Sequence, residues 1–317
     1  MQPILNRRFW HFVLILSTVF PLFVLHGCRQ QTPAPGKMAG VDTAAVARTA
    51  PARSHRPWVI LHAYAPDGLE LRKRASIQGD TVWEGRPISV GWLVEPIVIA
   101  ASGVGIANAV ATTQYLIDRY DPVGIIFTGV CTPINPAHQI GDLVIPDRWI
   151  NYDFGYWGRS GFLVDSVPVG RTDSAGFQPH FDFPVDTAVA RLLGSAADAT
   201  AFILRTIDRR LPEIHKGGVG VSGNAFIDSK SKREQLRKQL LAEIADTESA
   251  AVVQTALAAG IPIAVLRSCA APAGESASPA YQRALASFFS DSGRNTALVV
   301  SRFLENLPEG FLRQGSK

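Results

Sequence analysis

Cysteine is scarce: Cys28, Cys131 and Cys269 are the only three in a chain of 317 residues. That excludes a small scaffold stapled by disulfides. No group of His, Cys and carboxylates stands at metal-ligand spacing in the sequence, so neither a metal nor another cofactor is expected. No basic run with interleaved aromatics occurs. The net charge of +4 and pI near 9.1 therefore give no support to nucleic-acid binding. No internal repeat is visible, which sets aside solenoids and propellers.

What is present begins with an address. Arg7 and Arg8 precede an apolar run from Phe9 to Leu25, and Leu25-His26-Gly27-Cys28 follows. Residues 1–28 resemble a bacterial lipoprotein signal, in which Cys28 is cleaved at its amino side and acylated. The alternative is one uncleaved anchoring helix, although the apolar run is near the lower length limit for a span. Either puts the body in an extracytoplasmic space, membrane-anchored on the periplasmic face. Residues 29–57 carry Pro33, Pro35, Pro51 and Pro57 among Ala, Thr, Gln and Arg, which reads as a flexible tether. Residues 58–317 suffice to fill one α/β domain. Cys131 and Cys269 both follow apolar strands. A disulfide between them and two buried thiols are both open, the thiols being the expectation.

The body alternates strands and helices. Trp58-Val59-Ile60-Leu61, Pro96 to Ala101, Val123 to Phe127, Leu143-Val144-Ile145 and Ile261 to Leu266 are short apolar runs suited to strands buried on both faces. Ile77 to Ser89 suits hairpin strands. Ile106, Ala109, Val110, Thr113, Leu116, Ile117 and Tyr120 fall at helical spacing and stop at Asp121-Pro122. Helices are also expected over Val185–Ala197, Glu248–Ala259 and Pro279–Leu307, the last broken near Gly293. Residues 154–184 lack periodicity and read as a long excursion over the site. This pattern predicts a three-layer α/β/α domain with a central mixed sheet. Ligands in such sheets bind where strands end at their carboxyl edge, which draws attention to Thr128–Thr132. The turn Ser102-Gly103-Val104-Gly105 joins a strand to a helix, where backbone N–H groups point at an anion or a ring oxygen.

Seven segments then stand in a telling order. They are Ser102-Gly103-Val104-Gly105, Ile126-Phe127-Thr128-Gly129, Gly141-Asp142-Leu143-Val144, Asn151-Tyr152-Asp153, Val221-Ser222-Gly223-Asn224-Ala225-Phe226-Ile227, Asp246-Thr247-Glu248-Ser249-Ala250 and Val265-Leu266-Arg267-Ser268. Over residues 58–305 the chain resembles the nucleoside phosphorylase/nucleosidase superfamily, most closely its methylthioadenosine/S-adenosylhomocysteine nucleosidase branch. The resemblance implies a purine nucleosidase, an N-glycosyl hydrolase acting on a small-molecule nucleoside, and a homodimer. It assigns Glu248 to the ribose hydroxyls and places Ser102, Gly103, Gly105, Thr128, Gly129, Thr247 and Arg267 around the substrate. Phe226 and Ile227 match the pocket positions that sandwich the base. Glu248 also fits a helix N-terminal acid favoured by the dipole, and Asp246 reads as the N-cap. Asp67 falls where the family's water-activating carboxylate sits, one methylene shorter than the usual Glu. Pro66-Asp67-Gly68 is equally an ordinary turn sequence.

The family's general acid, an aspartate, aligns with Ala271. No Asp or Glu lies between Arg267 and Gly274, and Glu275 is the nearest carboxylate in sequence. Asn224 replaces an acidic residue common in its loop, and Thr132-Pro133 replaces a glycine pair near the base. Two further readings therefore stay open. One is a lipoprotein that binds a nucleoside without turning it over. The other is a phosphorylase, although Ser102–Asn108 carries none of that branch's arginines and Arg72 or Arg74 would have to substitute for them.

Overall fold

A computed structural model describes residues 56–63, 65–159, 161–171, 173, 176–203, 209–270 and 279–311, without the side chains of 65–67, 279–287 and 289. The signal, most of the tether, Cys28, Ala271 and Glu275 lie outside the described residues. Arg56 and Pro57, at the end of the expected tether, already belong to the body. Arg56 pairs with Asp121 at 2.8 Å, and Pro57 O accepts from Val123 N.

In chain order the elements are β1 (Trp58–His62), α1 (Ala65–Arg74), β2 (Ser76–Trp83), β3 (Arg86–Leu93), β4 (Glu95–Ala101), α2 (Ile106–Tyr120), β5 (Gly124–Pro133), β6 (Leu143–Ile145) and β7 (Arg148–Asn151). Two hairpins follow, β8 (Gly155–Gly158) with β9 (Gly161–Val164) and β10 (Val167–Gly170) with β11 (Phe177–His180). The chain continues through β12 (Phe183–Pro184), α3 (Thr187–Asp198), β13 (Ile214–Lys216), β14 (Val219–Ser222), α4 (Lys230–Leu240), β15 (Ala242–Asp246), α5 (Ser249–Ala259), β16 (Ile263–Cys269) and α6 (Pro279–Glu305).

One mixed sheet runs β12-β7-β14-β15-β5-β1-β4-β3-β2, with β16, β6 and β13 branching from β5. β5 holds it together. Gly124–Thr128 pair in parallel with β1 and Ile125–Cys131 with β16, while Thr132 and Pro133 pair antiparallel with β15. Side chains alternate across a strand, and here both faces are buried. Val59, Leu61, Ile125, Phe127 and Val265 enter one core with Ala109 and Leu116 of α2 and Val252 and Val253 of α5. Trp58, Ile60, Ile126, Ala264 and Leu266 enter the opposite core with Leu71 of α1, Val189 and Leu193 of α3, and Phe303 of α6. Two helical layers enclosing a mixed sheet are the expected α/β/α arrangement.

The departures have local causes. Pro66-Asp67-Gly68 forms the first turn of α1, where proline fits because no intrahelical N–H partner is needed. The unperiodic excursion over 154–184 folds as hairpins and β12, whose strands of two to four residues are too short to show alternation. α6 runs unbroken through Gly293. Thr296 Oγ1 donates to Ser292 O and Gly293 O there, securing carbonyls at the point where a break is expected. Cys131 and Cys269 are in register on β5 and β16 and are both free and buried, their sulfurs 3.9 Å apart. Burial pushes the Cys131 thiol well above its ordinary pKa.

Candidate active site

The glycine turn leaves the end of β4 and is pinned from both sides. Ser102 N donates to His62 O of β1 at 2.8 Å, and Thr112 Oγ1 of α2 donates to Ser102 O at 3.0 Å. Ser102 Oγ turns back to Gly103 O. Gly103 and Gly105 take φ of 75° and 90°, the left-handed region that glycine enters at little cost. The N–H of Gly105 is thereby presented at the mouth of α2.

It donates to Glu248 Oε1 at 2.8 Å, across 143 residues of sequence. Glu248 precedes α5 and is only 4% exposed. Thr247 Oγ1 also donates to Oε1. Among the described residues both hydrogen bonds to this carboxylate fall on Oε1, which leaves the lone pairs of Oε2 to accept from a ligand hydroxyl. Burial raises the Glu248 pKa, and the charge of Asp246 adds to it. Arg267, the Gly105 amide and Thr247 pull the other way without cancelling the rise.

Beneath this carboxylate lies a buried ion pair. Asp246 Oδ1 accepts from the N–H groups of Glu248 (3.1 Å) and Ser249 (3.0 Å), doing the work of an N-cap for α5 although Glu248 holds the cap position. Asp246 Oδ2 meets Arg267 Nε at 2.9 Å. Arg267 is fully buried, lies over the Phe127 ring at 4.0 Å, and donates from Nη1 to Thr128 O. Ser249 Oγ accepts from Nε and Nη2 of Arg267 and donates to Asp246. Ser222 Oγ donates to Asp246 Oδ1 at 2.5 Å and accepts from Ala250 N. Every nitrogen of Arg267 finds an acceptor, the condition under which a buried pair is tolerable.

Four of the residues expected around a ligand therefore converge: Ser102, Gly105, Thr247 and Glu248, with Arg267 behind them. Thr128 and Gly129 lie in β5 beside Arg267, but Thr128 Oγ1 is turned into the sheet toward Leu61 O. The apolar ledge of Phe226 and Ile227 needs correction. Ile227 packs in a core with Tyr152, Val221 and Leu236, whereas Phe226 is 81% exposed and alone faces outward. Its loop is braced: Tyr152 Oη donates to Ala225 O, and Asn224 N donates to Asp153 Oδ2 at 2.6 Å. Burial, then the charges of Asp153 and Asp246, push the Tyr152 phenol up to about 12. Gly223 is required by close approach, since a Cβ there would lie 2.4 Å from Tyr152 Cζ. Asp67 sits on the first turn of α1, just past β1.

Ser222 and Ser249 were not among the residues singled out by sequence. They stand inside quoted motifs, and a serine beside Asp246 in a strand-to-helix junction is the signal that points to them.

Residues 63–305 match the family model of the phosphorylase superfamily, and the chain belongs to that family. A 5'-methylthioadenosine/S-adenosylhomocysteine nucleosidase of Mycobacterium tuberculosis is 29% identical over 220 residues, covering 66% of this chain and 80% of that protein. An enzyme of the same name from Geobacillus thermodenitrificans is 27% identical over 248 residues, 77% of this chain and 94% of the relative. An aminodeoxyfutalosine nucleosidase of Campylobacter jejuni is 24% identical over 211 residues, 67% of this chain and 81% of the relative. In fold, the chain is similar to a 5'-methylthioadenosine/S-adenosylhomocysteine nucleosidase of Neisseria meningitidis in complex with methylthio-immucillin-A. The TM-score is 0.65 at 22% identity, over 80% of this chain and all of the other. The expected family and fold both hold.

Proposed function

We propose that this protein is a nucleosidase that hydrolyses the N-ribosidic bond of a purine nucleoside such as methylthioadenosine. The observation that carries the reading is the Glu248 carboxylate, buried yet joined to the Gly105 amide at the end of β4. A carboxylate there accepts hydrogen bonds from vicinal ribose hydroxyls. It also supplies negative charge where an oxocarbenium-like ribosyl group develops positive charge, the kind of preorganised electrostatic stabilisation that most favours a transition state. The names of the relatives support the substrate class.

In this reading water attacks the anomeric carbon as the carbon–nitrogen bond breaks. Asp67 takes the water proton, and the departing base gains a proton at nitrogen. With Ala271 at the family's acid position, Glu275 or a solvent water delivers that second proton. Losing a positioned acid costs about 10²- to 10⁴-fold in rate, so a slow enzyme is expected. The chain acts as a homodimer, held at the periplasmic face of a membrane through Cys28.

Ala271 also favours a second reading, in which the pocket binds a nucleoside without turnover. One experiment separates them. Protein lacking residues 1–28 is incubated with methylthioadenosine, free adenine is followed by chromatography, and binding is followed by calorimetry. Adenine release that Glu248→Gln abolishes supports the nucleosidase. Binding without release over long incubation leaves the binding reading, and neither binding nor release defeats both.

A further inference from the structure

Away from Glu248, the loop between β5 and β6 meets β13 in a cluster of ionisable side chains that the proposed reaction does not use. Glu213 and His215 flank Ile214, so their side chains share one face of the β13 backbone. Across from them Asp142, fully buried, opens β6. One ligand atom from each of Asp142, Glu213 and His215 lies within 4.8 Å of the others. His215 Nε2 is 3.2 Å from Asp142 Oδ2. The far oxygen, Asp142 Oδ1, is held by Arg210 Nη2 at 2.5 Å and by Glu213 N at 3.0 Å, while Gln139 N donates to Oδ2 at 2.8 Å.

His138 provides the independent observation. Its ring packs against His215 with centroids 4.1 Å apart, and it is 6% exposed. Nε2 is 2.8 Å from Glu243 Oε2, and an ionised carboxylate accepts only, so the proton sits on Nε2. Glu243 is itself fixed by Asn135 and Arg237. Nδ1 is left buried with no hydrogen-bond partner. An imidazole that donates one nitrogen to a carboxylate and keeps the other bare is how metal-binding histidines are oriented.

We propose that Asp142, Glu213 and His215 form a binding site for one divalent transition-metal cation of the zinc type, beside the unpartnered Nδ1 of His138. Mixed imidazole and carboxylate donors suit zinc, cobalt or nickel better than calcium or magnesium. On binding, the His215 proton moves from Nε2 to Nδ1, freeing Nε2 for the ion. The formal charges admit a dication: Asp142 and Glu213 carry −2 against the +1 of Arg210. Arg210 opposes the ion: it engages Asp142 through the oxygen turned away from His215, and its Nη1 lies 3.9 Å from Glu213 Oε1, a pairing the ion displaces. The site is structural. Asp142 O accepts from Cys269 N and Gly141 N donates to Cys269 O, so a bound ion fastens the 134–142 loop to the end of the strand that carries Arg267.

The test is a cobalt titration of the metal-stripped full-length protein, read by visible absorption and by thermal unfolding. The site predicts saturation at one ion per chain with weak ligand-field bands and a raised Tm. Glu213→Gln changes a side chain that is 67% exposed, so it should fold, and it should weaken binding at least about tenfold. His215→Gln should do likewise. Absence of saturable binding overturns the proposal, as do intense thiolate-to-cobalt bands or an affinity that Glu213→Gln and His215→Gln leave unchanged.

Discussion

Replacing Asp246 with alanine is the most searching perturbation of the site's foundation. The carboxylate faces a fully buried guanidinium and caps two amides at the start of α5. Removing one partner of a buried pair costs about 3–5 kcal/mol, because the remaining charge stays out of water. Losing the cap adds about 1 kcal/mol. The two share Ser249, so they overlap and sum to less than their total. A loss of about 4–5 kcal/mol is expected for Asp246→Ala, against a typical domain stability of about 5–15 kcal/mol. Asp246→Asn keeps an acceptor for the amides and should lose about 3 kcal/mol. Urea unfolding measures both; at an m of about 3 kcal/mol/M the alanine midpoint falls by more than ~1 M. The double variant Asp246→Ala with Arg267→Met should recover part of the loss, since no charge is then left unpaired. If Asp246→Ala costs under about 1 kcal/mol at unchanged m, the buried pair does not hold this region together and the reasoning is wrong.

Three further outcomes are expected. Glu248 must be ionised to offer negative charge to the ribosyl group and to accept with every lone pair of Oε2, and burial raises its pKa above the ordinary 4.5. kcat/KM for nucleoside cleavage should therefore climb with pH above that value, and a profile that is flat through that range would refute the assignment. The linkage sign is opposite for stability. A raised folded pKa favours the fold below the unfolded value, and that contribution is lost as pH rises through the folded one. Glu248→Gln should thus be as stable as the natural protein at neutral pH, or more so, as a melting comparison will tell. Gly105→Ala meets no atom within 4 Å but must hold a φ of 90°, a strain of about 1–3 kcal/mol. It should lower activity by tilting the amide that holds Glu248, and unchanged kinetics would separate that amide from function.

The parts of the fold that were legible in the sequence share one property. β1, β4, β5 and β16 are continuous apolar runs because both of their faces are covered, and that pattern survives without any partner being known. α4 was invisible for the converse reason: only Leu236 is buried, and the remaining side chains are those of a solvated surface. α1 hid behind Pro66-Asp67-Gly68, whose turn chemistry also serves a helix start. The site was legible as residues but not as bonds. Motif order singled out Glu248, Gly105 and Arg267, whereas the acceptance of the Gly105 amide by Glu248 depends on how α2 and α5 lie together over the sheet. The cluster of His138, Asp142, Glu213 and His215 shows the same limit. His138 and Asp142 are four apart and Glu213 and His215 two apart, but the pairs join only through β6 and β13.

The bond between Gly105 and Glu248 carries a consequence for how the molecule is made. A polypeptide emerging amino end first presents its glycine loop long before the acid that completes it has been synthesised. Contacts so distant in sequence form late and slow the search for the native state. Until the carboxyl-terminal third arrives, the apolar strands around that loop stand uncovered, the condition in which unfinished chains stick to one another. A helper that shields the first two-thirds during synthesis would raise the yield of finished protein without touching any property of the finished molecule.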